Sequence, residues 1–302
     1  SLSQGVKPLV WYNSSTNWIG PGPLFRLNKK ADREKEYKWL SDMGVAGIKV
    51  DFFSGDSVST MNYYIDLLED AVKYKLMLNF HGATIPRGWQ RTYPHMMSVE
   101  GVYGAEWYNN TPVLTNRAAE HNATLPFTRN VVGPMDYTPG TFSDSQHPHI
   151  TSYGHELALP IIFESALQHM PDRPSVYYDM PEPVKKLLSD LPAAWDDTKL
   201  LTGYPGMEVV MARRKGDVWY IAGINGTNEP RTLCFSLKDL SVAGKGFKIS
   251  RIKYLAPILY DADNPPSAFF CIFSFCSPIA VFLQMPYNGN SIFQIQIKEN
   301  IN

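Results

Sequence analysis

The chain has 302 residues, 44% of them hydrophobic and 13% aromatic, and its 28 Lys and Arg nearly balance its 29 Asp and Glu. This composition can fill a substantial core. The formal charge of -1 supplies no basic field for a phosphate backbone or an anionic membrane, which argues against nucleic acid as a partner. The three cysteines, at 234, 271 and 276, lack the spacing of a zinc site or a disulfide framework.

The first half of the chain alternates predicted strands and helices. Short apolar runs predict buried strands, and segments with helical periodicity predict helices between them. Gly44 stands where the first helix should end. The predicted strands are 8–13, 47–51, 76–80, 99–105 and 125–130, and the predicted helices are 30–43, 61–74, 155–169 and 183–191. This alternation indicates a parallel sheet covered by helices.

Five or six such strands fall short of the eight that close a (β/α) barrel, so we expect the N-terminal part of the barrel to be missing from this chain. After residue 192 the pattern changes to antiparallel strands, with a hairpin at 207–224 and further strands at 232–237 and 247–252. The predicted fold is therefore α/β. A partial (β/α)8 TIM-type barrel over 1–195 is followed by a small antiparallel β domain over 196–302.

One uncharged segment, 267–283, is marginal in length for a membrane span. Its aromatic residues and Pro278 favour a strand, and no membrane span is expected.

Several predicted strands end in polar residues. Asp51 ends one, His81 directly follows another, and the run 100–106 closes on Glu106. Side chains at the C-terminal ends of barrel strands lie in the active-site cleft, and two carboxylates there can flank one glycosidic bond. Asp51 and Glu106 are thus a candidate acid and nucleophile pair. The alternative is a pair of ordinary strand-end carboxylates that cap or form ion pairs.

Several short sequence motifs in this chain resemble those of a known protein family. The runs AGIKVDFF (46–53), LNFHGA (78–83), RTYP (91–94), EGVYGAE (100–106), FTRN (127–130), GPMDYTPG (133–140) and ARRKG (212–216) resemble glycoside hydrolase family 97. The resemblance extends from about residue 7 to about residue 227 and fades beyond, with a divergent segment at 254–282. It implies an exo-acting α-glycosidase of Bacteroides-type bacteria, periplasmic or secreted, although the chain carries no signal peptide. It also implies an N-terminal β-sandwich, a (β/α)8 barrel and a C-terminal β domain.

The resemblance implies a mechanism as well. Retaining members, which include α-galactosidases, have an aspartate nucleophile at the place of Asp51 and a glutamate acid/base at the place of Glu106. Inverting α-glucosidases lack that aspartate and carry a glutamate directly after the histidine, where this chain has Gly82. We therefore expect a retaining α-galactosidase acting on an oligosaccharide or aryl α-glycoside. An inverting-type α-glucosidase and an inactive sugar-binding remnant remain the alternatives.

Other residues are candidate substrate ligands. Lys49 lies on the same strand face as Asp51 and either keeps Asp51 ionised or contacts a sugar hydroxyl. His81 resembles a substrate-binding histidine, or is a hydrogen-bonded cleft histidine. Arg129 and Asp136 bind sugar hydroxyls or pair structurally. Trp11 stacks on a sugar or belongs to the core.

The resemblance further implies Ca²⁺ as a cofactor, with Glu100 and Glu106 among its ligands, because carboxylate oxygens suit this hard cation. One family ligand belongs to the N-terminal domain and another falls at Gly82. The calcium site in this chain is thus expected to be incomplete.

Overall fold

The computed structural model describes residues 5–14, 27–144, 147–216, 218–229, 231–236, 240, 268–273, 279–285 and 296–299. The chain forms two compact units. The first comprises Ser1–Gly104, Val132–Tyr137 and Ser165–Leu167, and the second comprises Ala105–Val131, Thr138–Glu164 and Gln168–Asn302. The domain boundary expected near residue 195 stays a prediction.

The first unit is a parallel β/α structure. Its sheet has the spatial order β1 (Leu9–Asn13), β2 (Gly47–Asp51), β3 (Met77–Phe80) and β4 (Met96–Val99). Helix α1 (Lys30–Asp42) connects β1 to β2, α2 (Val58–Lys73) connects β2 to β3, and the short α3 (Trp89–Thr92) precedes β4. An isolated parallel bridge joins Val99 to Met135 beyond β4. This arrangement confirms the predicted partial (β/α) barrel, with four strands in the described part of this unit.

Alternation along the strands separates two faces of this sheet. Ile48 and Val50 on β2 are fully buried in the hydrophobic core, as is Phe80 on β3, whose ring packs edge-on against Tyr64 of α2 at 5.0 Å. Toward the carboxyl end of each strand, the residues that alternate with these core residues are polar. They point to the opposite face of the sheet, because successive side chains of a strand alternate between the two faces. The apolar face of the sheet therefore packs against the helices, and the opposite face carries the polar groups.

A buried ion pair fastens α1 to α2. The Arg33 guanidinium, with 2% of its side chain exposed, donates to Asp70 Oδ2 from Nε at 2.8 Å and from Nη2 at 2.5 Å. Arg33 Nη1 also donates to the Leu27 carbonyl at 2.8 Å, and Lys30 forms a second ion pair with Asp70. Burial opposes ionisation of Asp70, but the hydrogen bonds from Lys30 and Arg33 outweigh it and lower the pKa of Asp70.

In its described residues, the second unit has six short helices and two antiparallel sheets. The helices are α4 (Pro112–Thr115), α5 (Ala118–Thr124), α6 (Arg129–Val132), α7 (Tyr153–Ile162), α8 (Pro174–Asp179) and α9 (Glu182–Asp190). The strands are β5 (Asp197–Tyr204), β6 (Glu208–Lys215), β7 (Val218–Asn225), β8 (Arg231–Ser236), β9 (Ala268–Phe273), β10 (Ile279–Met285) and β11 (Gln296–Glu299). One sheet has the order β5-β6-β7-β9 and the other β11-β10-β8. The antiparallel region expected toward the C-terminus is thereby confirmed.

Arg213 ties α7 to this β region. Its buried guanidinium donates to the carbonyl of Ile162 at 2.7 Å, at the C-terminal end of α7, and to Thr198 Oγ1 on β5 at 2.8 Å. Burial lowers the pKa of Arg213 to about 10, so the side chain still carries its charge at neutral pH. A cation at this end of a helix satisfies carbonyls that have no partner within the helix.

Two predicted strands are wrong. The one at 99–105 ends at Val99, because Gly101 adopts a φ of +46° and the chain turns into a 3₁₀ helix, Ala105–Asn109. The one at 125–130 is helical. Pro126 cannot donate to a sheet ladder and lies in the 3₁₀ helix Leu125–Phe127, which is followed by α6.

Other boundaries shift or fall elsewhere. The helix expected at 155–169 begins at Tyr153, after the capping hydroxyl of Ser152, and ends at Ile162. The described parts of segment 267–283 are strands β9 and β10, as expected, whereas the strand predicted at 247–252 lies outside the described residues. Among the helices that the structure describes, none is both long and apolar enough to span a bilayer.

We expect Asp70→Asn to reduce the free energy of unfolding by about 3–5 kcal/mol, because it leaves the buried Arg33 charge without its counter-charge. Asp42→Asn is the matched control, since the Asp42 pair with Lys38 is exposed and should contribute less than about 1 kcal/mol. Urea unfolding of both variants measures the difference. Equal losses would show that the buried pair contributes no more than the exposed one.

His155 gives a prediction for pH. It is fully buried on α7 next to Glu156, its Nε2 lies 3.0 Å from Asn122 Nδ2, and burial lowers its pKa to about 4. In the unfolded chain the His155 imidazole binds a proton near pH 6.5, whereas in the folded chain it does so only near pH 4. The free energy of unfolding is therefore at its full value above pH 6.5 and falls toward pH 4, by up to roughly 3 kcal/mol. His155→Gln should flatten the pH dependence of thermal stability over this range, as measured by melting temperature from pH 4 to pH 7. An unchanged slope would show that His155 does not cause the dependence.

Candidate active site

The predicted site residues of the first unit lie on the polar face of the parallel sheet. Lys49 pairs in register with Trp11 on one side and with Asn79 on the other, and Asn79 pairs with Ser98. Two residues further along, at the carboxyl ends of β2, β3 and β4, stand Asp51, His81 and Glu100. This end of a parallel β/α sheet is where active sites form.

Asp51 is held on both carboxylate oxygens. The indole N–H of Trp11 donates to Oδ2 at 2.9 Å, and the backbone N–H of Phe52 donates to Oδ1 at 2.8 Å. Asp51 is only 8% exposed, whereas Trp11 is 50% exposed. The two hydrogen bonds fix the orientation of a carboxylate near the surface of the sheet end, and Trp11 is not the core residue that one interpretation of the sequence allowed.

The backbone after Asp51 is strained. Phe52 has a φ of +64°, in the left-handed region that bulky residues rarely occupy. Its N–H also approaches the His81 carbonyl at 3.2 Å, and the N–H of Phe53 donates to the Gly82 carbonyl at 2.9 Å. These bonds continue the contact between β2 and β3 beyond the last strand residues, and they hold Phe52 in a conformation that costs of order 1–3 kcal/mol.

Gly82 leaves no room for a side chain. Its φ is +49°, and a Cβ there would lie 2.8 Å from the Phe52 nitrogen and 2.9 Å from Asp51 Oδ1. Its N–H donates to Glu100 Oε2 at 2.6 Å. The carboxylate of Asp51 and a side chain at position 82 would therefore compete for the same space.

His81 lies between two carboxylates. Nδ1 is 3.4 Å from Glu100 Oε2, and Nε2 is 3.4 Å from Asp136 Oδ2. Burial and the Lys49 charge work against protonation, but the neighbouring carboxylates of Asp136 and Glu100 prevail and raise the pKa of His81. The imidazole is thus oriented from both sides.

Asp136 is fully buried. Its N–H donates to the Val99 carbonyl at 3.1 Å, and its Oδ2 accepts from Asn79 Nδ2 at 3.0 Å. Asn79 was not among the predicted site residues, although an amide inside the otherwise apolar run 76–80 is a signal in the sequence. Asn79 and Asp136 together fix the ring of His81, so in this structure Asp136 has a partner within the protein.

Two predicted site residues belong to the second unit. Glu106 lies on the 3₁₀ helix Ala105–Asn109 and is exposed, and Arg129 is buried at the start of α6. The pairing of Asp51 with Glu106 and a substrate role for Arg129 both stay predictions.

Two segments of the chain match models of one known family. Residues 1–102 match the family model described as glycoside hydrolase 97, and residues 194–265 match the one described as glycosyl-hydrolase 97 C-terminal, oligomerisation. Together the two matches cover more than half of the chain.

Two curated relatives are similar in sequence. A probable retaining alpha-galactosidase of Streptomyces bingchenggensis is 43% identical over 197 residues, which are 65% of this chain and 30% of the relative. A retaining alpha-galactosidase of Bacteroides thetaiotaomicron is 35% identical over 260 residues, which are 80% of this chain and 38% of the relative. The chain thus spans well under half the length of either relative.

A solved structure extends the similarity to the fold. The crystal structure of a beta-arabinopyranosidase superposes with a TM-score of 0.81 at 33% identity, over 95% of this chain and 45% of that one.

The crowding at Gly82 is testable. We expect Gly82→Ala to lower the free energy of unfolding by about 2–4 kcal/mol, because the methyl group meets both the Phe52 backbone and the Asp51 carboxylate. Gly55→Ala is the matched control. Gly55 also has a positive φ, of +79°, but nothing lies within 4 Å of its Cβ position, so only the backbone term of about 1 kcal/mol should appear. Equal chemical-denaturation curves for the two variants would show that the space at Gly82 is not restrictive.

Proposed function

The chain belongs to glycoside hydrolase family 97, and from this premise we propose that the protein is a retaining, exo-acting α-galactosidase. Asp51 is the proposed nucleophile and Glu106 the proposed general acid/base. The observation that carries the proposal is the orientation of Asp51 at the carboxyl end of β2, with one N–H donor on each oxygen. The names of the two curated relatives support the same substrate and stereochemistry.

The proposed reaction has two displacements. In the first, Asp51 attacks the anomeric carbon, the bond to the leaving oxygen breaks, and Glu106 gives that oxygen its proton. In the second, the Glu106 carboxylate takes a proton from water, the water oxygen attacks the anomeric carbon, and the ester bond to Asp51 breaks. This mechanism requires the two carboxyl groups to approach within ~5–5.5 Å.

Gly82 supports the retaining mechanism over the inverting alternative. An inverting enzyme needs a second carboxylate set back from the sugar to activate water. The expected place for that base is position 82, and there the structure leaves no space beside Asp51. Gly82 is therefore consistent with a mechanism in which Asp51 attacks the sugar directly.

We assign His81 and Lys49 to substrate binding. His81 is oriented by Glu100 and Asp136 on the face that also carries Asp51, so its position suits a contact with a sugar hydroxyl. Lys49 is half-buried two residues before Asp51 on the same face and can donate to a neighbouring hydroxyl. Asp136 supports His81, and Arg129 remains a candidate ligand from the second unit.

Calcium is a further part of the proposal. The carboxylate of Glu100 is a suitable donor for this hard cation, and Glu106 is the second proposed ligand. Glu100 Oε2 already accepts the Gly82 N–H, and Ca²⁺ takes six to eight oxygens, so these two residues fit only a part of its coordination shell.

A β-L-arabinopyranoside is a second candidate substrate. The solved beta-arabinopyranosidase is 33% identical to this chain and has the same fold over 95% of it. A β-L-arabinopyranosyl ring has the hydroxyl configuration of an α-D-galactosyl ring and lacks only its hydroxymethyl group, so one nucleophile geometry can serve both. Comparing kcat/KM for the two aryl glycosides distinguishes these substrates.

The role of Asp51 can be tested in the full-length protein. Asp51→Gly should abolish hydrolysis of an aryl α-galactoside, and azide should restore turnover to a product of inverted configuration, because the small anion occupies the space of the lost carboxylate. Glu106→Gln should instead spare substrates with good leaving groups and disable those with poor ones. Inverted azide product from the Glu106 variant alone would reverse the two roles.

A further inference from the structure

Trp11 contacts the proposed nucleophile with its polar edge. The indole N–H donates to Asp51 Oδ2 at 2.9 Å, while the ring packs edge-on against Phe52, with centroids 6.0 Å apart and planes at 76°. The side chain remains 50% exposed. A tryptophan placed only for the core would bury more of its ring, and one placed only to stack on a ligand would have no need of this hydrogen bond.

We propose that Trp11 is a positioning residue for Asp51, a role that rests on the proposed function of Asp51 as the nucleophile. The two oxygens of Asp51 are held differently. Oδ1 accepts a backbone N–H, which no substitution at Phe52 other than proline would remove, whereas Oδ2 accepts from a side chain. The bond from Trp11 therefore prevents the carboxylate plane from rotating about the single contact to Oδ1.

The arrangement of β1 and β2 makes this contact possible. In the parallel register Trp11 lies opposite Lys49, and Asn13 lies opposite Asp51. Trp11 is thus one pleat repeat behind its acceptor on the same face, a distance that the long indole side chain spans and a short donor would not. The neighbouring ring of Phe52, which packs edge-on against the indole, limits the rotamers that Trp11 can adopt.

The expected consequence is kinetic. Attack on the anomeric carbon requires the carboxylate to be held in a near-attack orientation before the reaction. Trp11→Phe preserves an aromatic ring but deletes the N–H. In the full-length protein it should lower kcat for an aryl α-galactoside on the order of ten- to a hundredfold, the range expected for one hydrogen bond to a charged group. KM and competitive inhibition by galactose should change less than about threefold, since the remaining ring still offers a stacking surface.

Trp39→Phe is the matched control. Trp39 lies on α1 and is also 50% exposed, so this variant repeats the chemical change on a surface of equal exposure away from Asp51. It should leave both kinetic constants at the wild-type values. Thermal unfolding of both variants establishes that each is folded before the rates are compared.

A second measurement does not depend on activity. In ¹⁵N-tryptophan-labelled protein, the indole N–H signal of Trp11 is the one lost in Trp11→Phe. A bond to a carboxylate places this signal downfield, and Asp51→Asn should shift it upfield because a neutral acceptor forms a weaker bond. Asp51→Asn should leave the Trp39 signal in place.

The two measurements separate the inference from the function on which it rests. A shifted indole signal in a protein that cleaves no glycoside would overturn the proposed activity and retain the contact. An unmoved signal in an active enzyme would overturn the inference alone. The same conclusion would follow if Trp11→Phe raised KM and weakened galactose inhibition while kcat was unchanged, because Trp11 would then be a stacking residue.

Discussion

The candidate site depends on the close approach of Gly82 to the peptide that joins Asp51 to Phe52. With a side chain at position 82, the Phe52 N–H could not approach both the Asp51 carboxylate and the His81 carbonyl. The left-handed conformation of Phe52 and the positive φ of Gly82 are therefore two parts of one arrangement, in which the ends of β2 and β3 interlock. This backbone conformation, though strained, places the Phe52 N–H where it donates to the Asp51 carboxylate.

The same strands divide the unit into an apolar and a polar side. Core residues such as Ile48, Val50 and Phe80 pack beneath the helices, while Lys49, Asp51 and His81 alternate with them on the other face. Buried charges are tolerated where each has a partner. Arg33 pairs with Asp70 on the helix side, and His81 is flanked by Glu100 and Asp136 on the polar side. The helix-side pair secures the scaffold, and the polar-side group orients the site.

The family comparison and the geometry support the proposed function from different directions. Membership of glycoside hydrolase family 97 rests on matches at 1–102 and 194–265, and neither match reaches Glu106. The orientation of Asp51 and the lack of space for a side chain at Gly82 are properties of the first unit alone. The acid/base role of Glu106, by contrast, is a proposal that rests on the motif around it, EGVYGAE (100–106).

The sequence by itself determined the features that depend on local pattern. Short apolar runs located β2 and β3, helical periodicity located α1 and α2, and the motif residues identified Asp51 and the family. Tertiary contacts decided what local pattern could not express. The run after Val99 reads as a strand by composition, yet Gly104 lies so close to the Tyr137 carbonyl that a Cβ there would be 2.5 Å from it, and the chain turns. Two of the partners are distant in sequence: Trp11 lies 40 positions before Asp51, and Asp136 lies 55 positions after His81. The register of the parallel sheet brings Trp11 to Asp51, and the bridge between Val99 and Met135 brings Asp136 to His81.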